Sequence, residues 1–163
     1  MSRTAIDTQQ YLNLYDQLTQ AVDGLTEEAL AWKESPEKWS ITEVLSHLTD
    51  HNLVVSFRIR EILSGSTAQL PRFSQDAWVS ETKANAGTVT DILTVYQALL
   101  AYNSELFRRL SAEDWQKSGI QFNGKAVRLA DVVEAFINHV QVHLAQIDRI
   151  KQAFQELHEE PVE

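Results

Sequence analysis

The chain has 163 residues, 44% of them hydrophobic, no cysteine and a formal charge of −9. That is enough for one domain with a real core, and it excludes disulfides, thiolate ligands and a cysteine nucleophile. A surface of this sign repels phosphate backbones, no apolar run approaches the roughly 20 residues of a membrane span, and Met1 to Asp7 lack a signal peptide's basic start and apolar core. The expectation is a cytoplasmic protein that binds neither nucleic acid nor membrane.

Five glycines and three prolines are few breakers, which favours helices over a sandwich of many turns. A first helix is expected from about Thr4 to Val22, with Ile6, Tyr11, Leu14, Tyr15, Leu18 and Val22 on one stripe. Asp23-Gly24 ends it, and Thr26 caps a short turn of helix before a loop from Lys33 to Trp39. Ser40-Ile41-Thr42-Glu43 has the form of a capping box, and it opens a second long helix to about Leu63. Leu45, Leu48, Val55, Ile59 and Ile62 are its core candidates. Arg58 and Arg60 are the nearest thing to a basic patch, and Glu61 follows them at once.

Beyond a loop containing Pro71, Ser74 to Lys83 reads as a short helix carrying Trp78. Thr88 with Asp91 caps a third long helix to about Leu110, whose apolar face is Ile92, Val95, Tyr96, Leu99, Leu100, Leu106 and Phe107. Ser111 with Asp114 repeats the cap over a short turn. Alternation around Asn123-Gly124, between Ile120 and Val127, suggests a small hairpin or a wide turn, which must lean on other elements. A last helix runs from about Leu129 to Gln155. Residues 1–157 form one domain in this reading, and 158–163 an acidic tail with a solvated His158. Trp32, Trp39, Trp78 and Trp115 read as core or cap residues rather than as a pocket lining. Four long helices make an up-down four-helix bundle the default architecture.

Four of the five histidines form two pairs spaced i, i+4: His47 with His51, and His139 with His143. Such a pair lies on one helix face, one turn apart. Val132, Ala135, Phe136, His139, Val140, His143, Ile147 and Ile150 trace one stripe, so the second pair points into the bundle. Imidazoles buried there need partners, and a metal ion satisfies several at once. His47 lies among Val44, Leu48 and His51 in the same way. Three neutral nitrogen ligands, His47, His139 and His143, suit a divalent ion, Zn²⁺ or Ni²⁺ foremost, with Fe²⁺ and Cu²⁺ compatible. Three protein ligands leave a position open, as in catalytic zinc sites. Asp50 and His51 are each open to being a fourth ligand, a hydrogen-bond partner or a general base. No His-Glu-x-x-His is present, so metalloprotease chemistry is not indicated.

Trp39-Ser40 opening a helix, His47-Leu48-Thr49-Asp50, and His139-x3-His143 followed by Leu144-Ala145-Gln146-Ile147 together resemble the DinB-like superfamily, which includes the YfiT-type metal-dependent hydrolases. The resemblance spans nearly the whole chain in order and spacing. It implies an all-α four-helix bundle with up-down-down-up connections, a metal triad of His47, His139 and His143, and a homodimer. Some members of that family transfer low-molecular-weight thiols such as bacillithiol or mycothiol. Three readings follow. One is a thiol-dependent S-transferase acting on a small-molecule substrate, its thiol supplied as a cosubstrate. Another is a hydrolase at the same site, with Asp50 or His51 taking a proton in either reaction. The last is a non-catalytic, metal- or ligand-binding helical bundle.

Overall fold

The computed structural model of the protein describes residues 6–159. Within them lie α1 (Thr8–Val22), α2 (Glu27–Ala31), α3 (Ile41–Leu63), α4 (Gln75–Glu81), α5 (Val89–Arg108), α6 (Ala112–Gln116) and α7 (Leu129–His158). Strands β1 (Ser118–Ile120) and β2 (Ala126–Arg128) form an antiparallel ribbon between α6 and α7.

Side-chain caps fix most helix starts. Asp7 accepts the Gln9 and Gln10 amides at 3.0 and 3.3 Å, so α1 begins at Thr8; the expected start at Thr4 lies outside the described residues. At α3 the capping box is complete: Ser40 Oγ accepts the Glu43 amide, and Glu43 Oε1 accepts the Ser40 amide, both at 3.0 Å. The buried Glu43 also receives Lys33 Nζ at 2.7 Å. Ser111 and Asp114 make the same box at α6. Thr88 departs from expectation, because α5 starts after it without a side-chain cap bond. After α1 the backbone turns at Gly24 with φ +74°, a left-handed conformation that glycine adopts without steric cost.

Four long helices pack in the cyclic order α1, α5, α3, α7. Their directions follow from side-chain pairs. Tyr11 meets Phe136 at 5.6 Å between ring centres and Gln17 meets Gln141 at 2.9 Å, so α1 and α7 run parallel. Ser40 bonds Asn85 just before α5, and Arg60 bonds Asn103 near its end, so α3 and α5 also run parallel. His51 stacks near Phe136 while Trp39 faces His143, which makes α3 and α7 antiparallel. The connectivity is therefore up-down-down-up, and the simple up-down default is corrected. A parallel α3–α5 pair obliges the chain to return along the bundle between them. Residues 64–88, including α4, make that return.

The core holds the expected Tyr11, Leu14, Leu18, Leu45, Leu48, Val55, Ile59 and Ile62, all under 5% exposed. On α5 the buried line is Leu93, Tyr96, Leu100, Asn103 and Phe107, while Val95 faces solvent. Of the expected face, Tyr96, Leu100 and Phe107 are buried and Ile92, Leu99 and Leu106 half-buried, so only Val95 departs, and a polar residue, Asn103, also occupies a core position. It accepts from Arg60 Nη1 at 2.9 Å and donates to the Tyr11 hydroxyl at 3.1 Å and Ser56 Oγ at 2.8 Å. The ribbon leans on α3 as required. A Cβ at Gly119 would stand 2.7 Å from Ile62 Cγ1, so only glycine allows that approach.

Candidate metal centre

The box at Ser40 starts α3, and helical spacing puts His47 on the same face as Val44 and His51, where it meets His139 and His143 of α7. His47 is 1% exposed. His139 and His143 stack one turn apart on α7, His143 largely buried and His139 partly so. Because α3 and α7 run antiparallel, the three rings meet where the helices face each other. Their Nε2 atoms converge: His139 Nε2 stands 3.4 Å from that of His47 and 3.0 Å from that of His143. One ligand atom from each of the three lies within 4.8 Å of the others.

Protons satisfy this set only in part. A single Nε2–H on His139 serves one neighbour and leaves the other contact between two lone pairs. If His47 and His143 both donate to it, the proton of His139 moves to Nδ1, which is buried without a partner. A divalent ion satisfies all three lone pairs together. Nitrogens around a tetrahedral ion at about 2.0–2.1 Å stand about 3.3 Å apart, so the two separations from His139 fit. His143 Nδ1 lies 2.7 Å from Gln146 Oε1, one turn on. A proton on Nδ1 donated to that amide oxygen leaves the Nε2 lone pair facing inward.

Electrostatics point the same way. Burial, then the neighbouring histidines, push His47 and His51 down to about 3 and His139 to about 4. Burial also lowers His143, opposed by its bond to Gln146. The rings are neutral at neutral pH, the form that ligates metals.

His51 and Asp50 do not join the convergent set. The His51 ring lies 4.2 Å from that of His139 and stacks on Phe136 at 5.7 Å, with Nδ1 buried and unpartnered. It borders a cavity of about 260 Å³ with His139, Arg58, Leu70, Phe122 and Phe136. Asp50 is half-buried with one carboxylate oxygen unpartnered, and burial raises its pKa.

Two aromatic walls enclose the rings. Trp39 lies 5.0 Å from His47 and 6.4 Å from His143, so this tryptophan borders the site rather than only capping a helix. Phe73, from the return segment, stacks on His47 at 6.0 Å with the planes 6° apart. On the far side His143, Trp39, Gln146, Arg149, Glu34 and Lys38 border a wider cleft of about 530 Å³. The α7 stripe holds at Phe136, Val140, His143, Ile147 and Ile150 and is wider than expected: Val133 and Ile137 are buried too, and Val132 and Ala135 line the smaller cavity.

Comparison with known sequences decides the family, since the sequence profile of the DinB superfamily matches residues 10–147. The chain belongs to the DinB superfamily. A candidate metal-dependent hydrolase of Oceanobacillus iheyensis is 26% identical over 133 residues, covering 81% of this chain and 76% of that protein. Among solved structures, Bacillus subtilis YfiT, described as a candidate metal-dependent hydrolase with an unusual four-helix bundle topology, superposes with a TM-score of 0.84 at 18% identity. That match covers 95% of this chain and 93% of YfiT. A mycothiol-dependent maleylpyruvate isomerase superposes with a TM-score of 0.67 at 9% identity, over 87% of this chain and 61% of that one. These likenesses establish the DinB fold. Among the described residues no helix is long and apolar enough to cross a membrane.

Proposed function

We propose that this protein is a metal-dependent enzyme acting on a small molecule, with His47, His139 and His143 holding a divalent ion, by hydrolysis or by transfer of an external thiol. The observation that carries this is the convergence of three neutral Nε2 atoms at 3.0 and 3.4 Å. An ion held there acts as a Lewis acid, lowering the pKa of a water or thiol. Gln146 orients His143, while Trp39 and Phe73 keep bulk water from the rings. His51, neutral and facing the cavity, exchanges a hydrogen bond with substrate; a ring pushed down to about 3 is a weak base at neutral pH. With no cysteine in the chain, any sulfur nucleophile comes from a cosubstrate. The names of the Oceanobacillus and Bacillus relatives support hydrolysis, and that of the mycothiol-dependent relative supports thiol use.

The test is metal content by mass spectrometry on untagged protein, against a His139→Ala, His143→Ala variant. Near-stoichiometric metal in the wild type, lost in the variant, is expected. Wild type that neither carries nor takes up Zn²⁺ or Ni²⁺ leaves a set of core histidines and a binding bundle. Turnover of activated esters and of chlorinated aromatics, with and without added thiol, then separates the two chemistries.

A further inference from the structure

We propose that the cavity beside His51 and His139 selects small molecules bearing a carboxylate on an apolar body, with Arg58 and Arg72 binding the carboxylate. The proposal deepens the metal-centre reading and rests on it for the reaction that follows, while recognition falls to separate residues.

Arg58, on α3, and Arg72, on the return segment, border one space beside His51 and His139. Neither makes an ion pair among the described residues. Arg58 gives one hydrogen bond, from Nη2 to the Pro71 carbonyl at 3.3 Å, and Arg72 lies over the Phe122 ring at 4.5 Å. Arg58 is half-buried, and burial lowers its pKa, so its charge sits where water solvates it poorly. A cation in that position gains strongly from an anionic partner. Asp131 also borders the cavity, but Arg128 already grips it in a two-pronged pair at 2.9 and 3.0 Å. Two guanidinium groups therefore face a common space, bordered by His51, His139, Phe73 and Phe122, with no carboxylate to neutralise them.

The rest of the lining sets the remainder of the ligand. Leu70, Phe122, Val127, Val132 and Phe136 make the adjoining cavity of about 260 Å³ mostly apolar. An apolar body placed there brings a carboxylate to the arginines and its neighbouring atoms toward His139. The net charge of −9 opposes a dianion more than a monoanion, which favours carboxylate over phosphate. The planar fork of arginine matches a carboxylate in shape. Position explains the pairing too: Arg58 follows His51 by two helical turns on α3, and Arg72 precedes Phe73 on the return segment.

The probes are benzoate, phenylacetate and 3-phenylpropanoate, each against its neutral amide, titrated calorimetrically into metal-loaded and chelated wild type and into Arg58→Met and Arg72→Met. The expected result is that at least one acid binds roughly tenfold or more tighter than its amide, and that each substitution removes most of this preference. Metal content of both variants should equal wild type, and the preference should persist after chelation. If none of the acids binds, if acid and amide bind alike, or if both variants keep the preference, the anion site is refuted. A preference abolished by chelation alone places the carboxylate on the metal and refutes it as well. Arginine-dependent preference in a wild type that never takes up metal leaves the anion site standing and removes the metal reading.

Discussion

Gln146 is the most informative residue to change, because it touches His143 without facing the other two rings. Its Oε1 lies 2.7 Å from His143 Nδ1, on the side of the ring away from the convergent Nε2 atoms. Replacing Gln146 with Ala removes the acceptor that holds the tautomer and the ring plane. Groups in this relation to a metal-binding histidine are worth about 10–100-fold in affinity. Gln146 is itself half-buried, so water replaces it in part, and the lower end applies: roughly tenfold, or about 1.4 kcal/mol. Gln146→Glu keeps an acceptor and adds charge, so its affinity should match or exceed wild type. The assay is competition for Zn²⁺ against a chromogenic chelator at fixed pH, with urea unfolding of the chelated forms to show that the bundle is intact. Wild-type affinity in the Ala variant together with weakened binding in the Glu variant would refute the assigned role.

Three further outcomes test the packing and the electrostatics. In chelated protein, His47 and His51 titrate near 3 and His139 near 4 when folded, all below the ordinary 6.5. The unfolded chain thus binds more protons below about pH 6.5, and stability should fall as pH drops from there toward 4. Urea midpoints that hold steady or rise between pH 7.5 and 5 would contradict neutral buried rings. Gly119→Ala places a Cβ 2.7 Å from Ile62 Cγ1 and should cost about 1–3 kcal/mol, read as a lowered thermal midpoint; an unchanged midpoint means the ribbon does not bear on α3. Asn103→Leu strands the Tyr11 hydroxyl and takes an acceptor from Arg60 Nη1, while Ser56 keeps its bond to Asn52, and should cost about 1–3 kcal/mol in urea unfolding, whereas a neutral or stabilising effect would show that the network is dispensable.

Local chemistry in the sequence carried much of this structure. The Ser40 and Glu43 box could be read directly because its bonds close within four residues. The buried line of Val44, Leu48, Val55, Ile59 and Ile62 turns that face of α3, and His47 with it, inward. The spacing of His139 and His143 placed two rings on one face whatever the tertiary fold. Periodicity does not find a polar core position: Asn103 is buried through bonds to three residues on two other helices, α1 and α3, none visible from α5 alone. It also does not tell a core position from a cavity wall: Val132 is half-buried against the core and lines the cavity, and Ala135 lines it while exposed.

The walls of the centre were illegible for a topological reason. Helix pattern alone allows an up-down bundle, in which consecutive helices are neighbours and short loops lie at the ends. Here α3 and α5 are parallel, so residues 64–88 travel back along the bundle and carry Arg72 and Phe73 onto the histidines. Nothing in the composition of that segment marks it as part of a site. Its contribution comes from the connection it makes: the return along the bundle lays Phe73 on His47, opposite the wall that Trp39 supplies from just before α3.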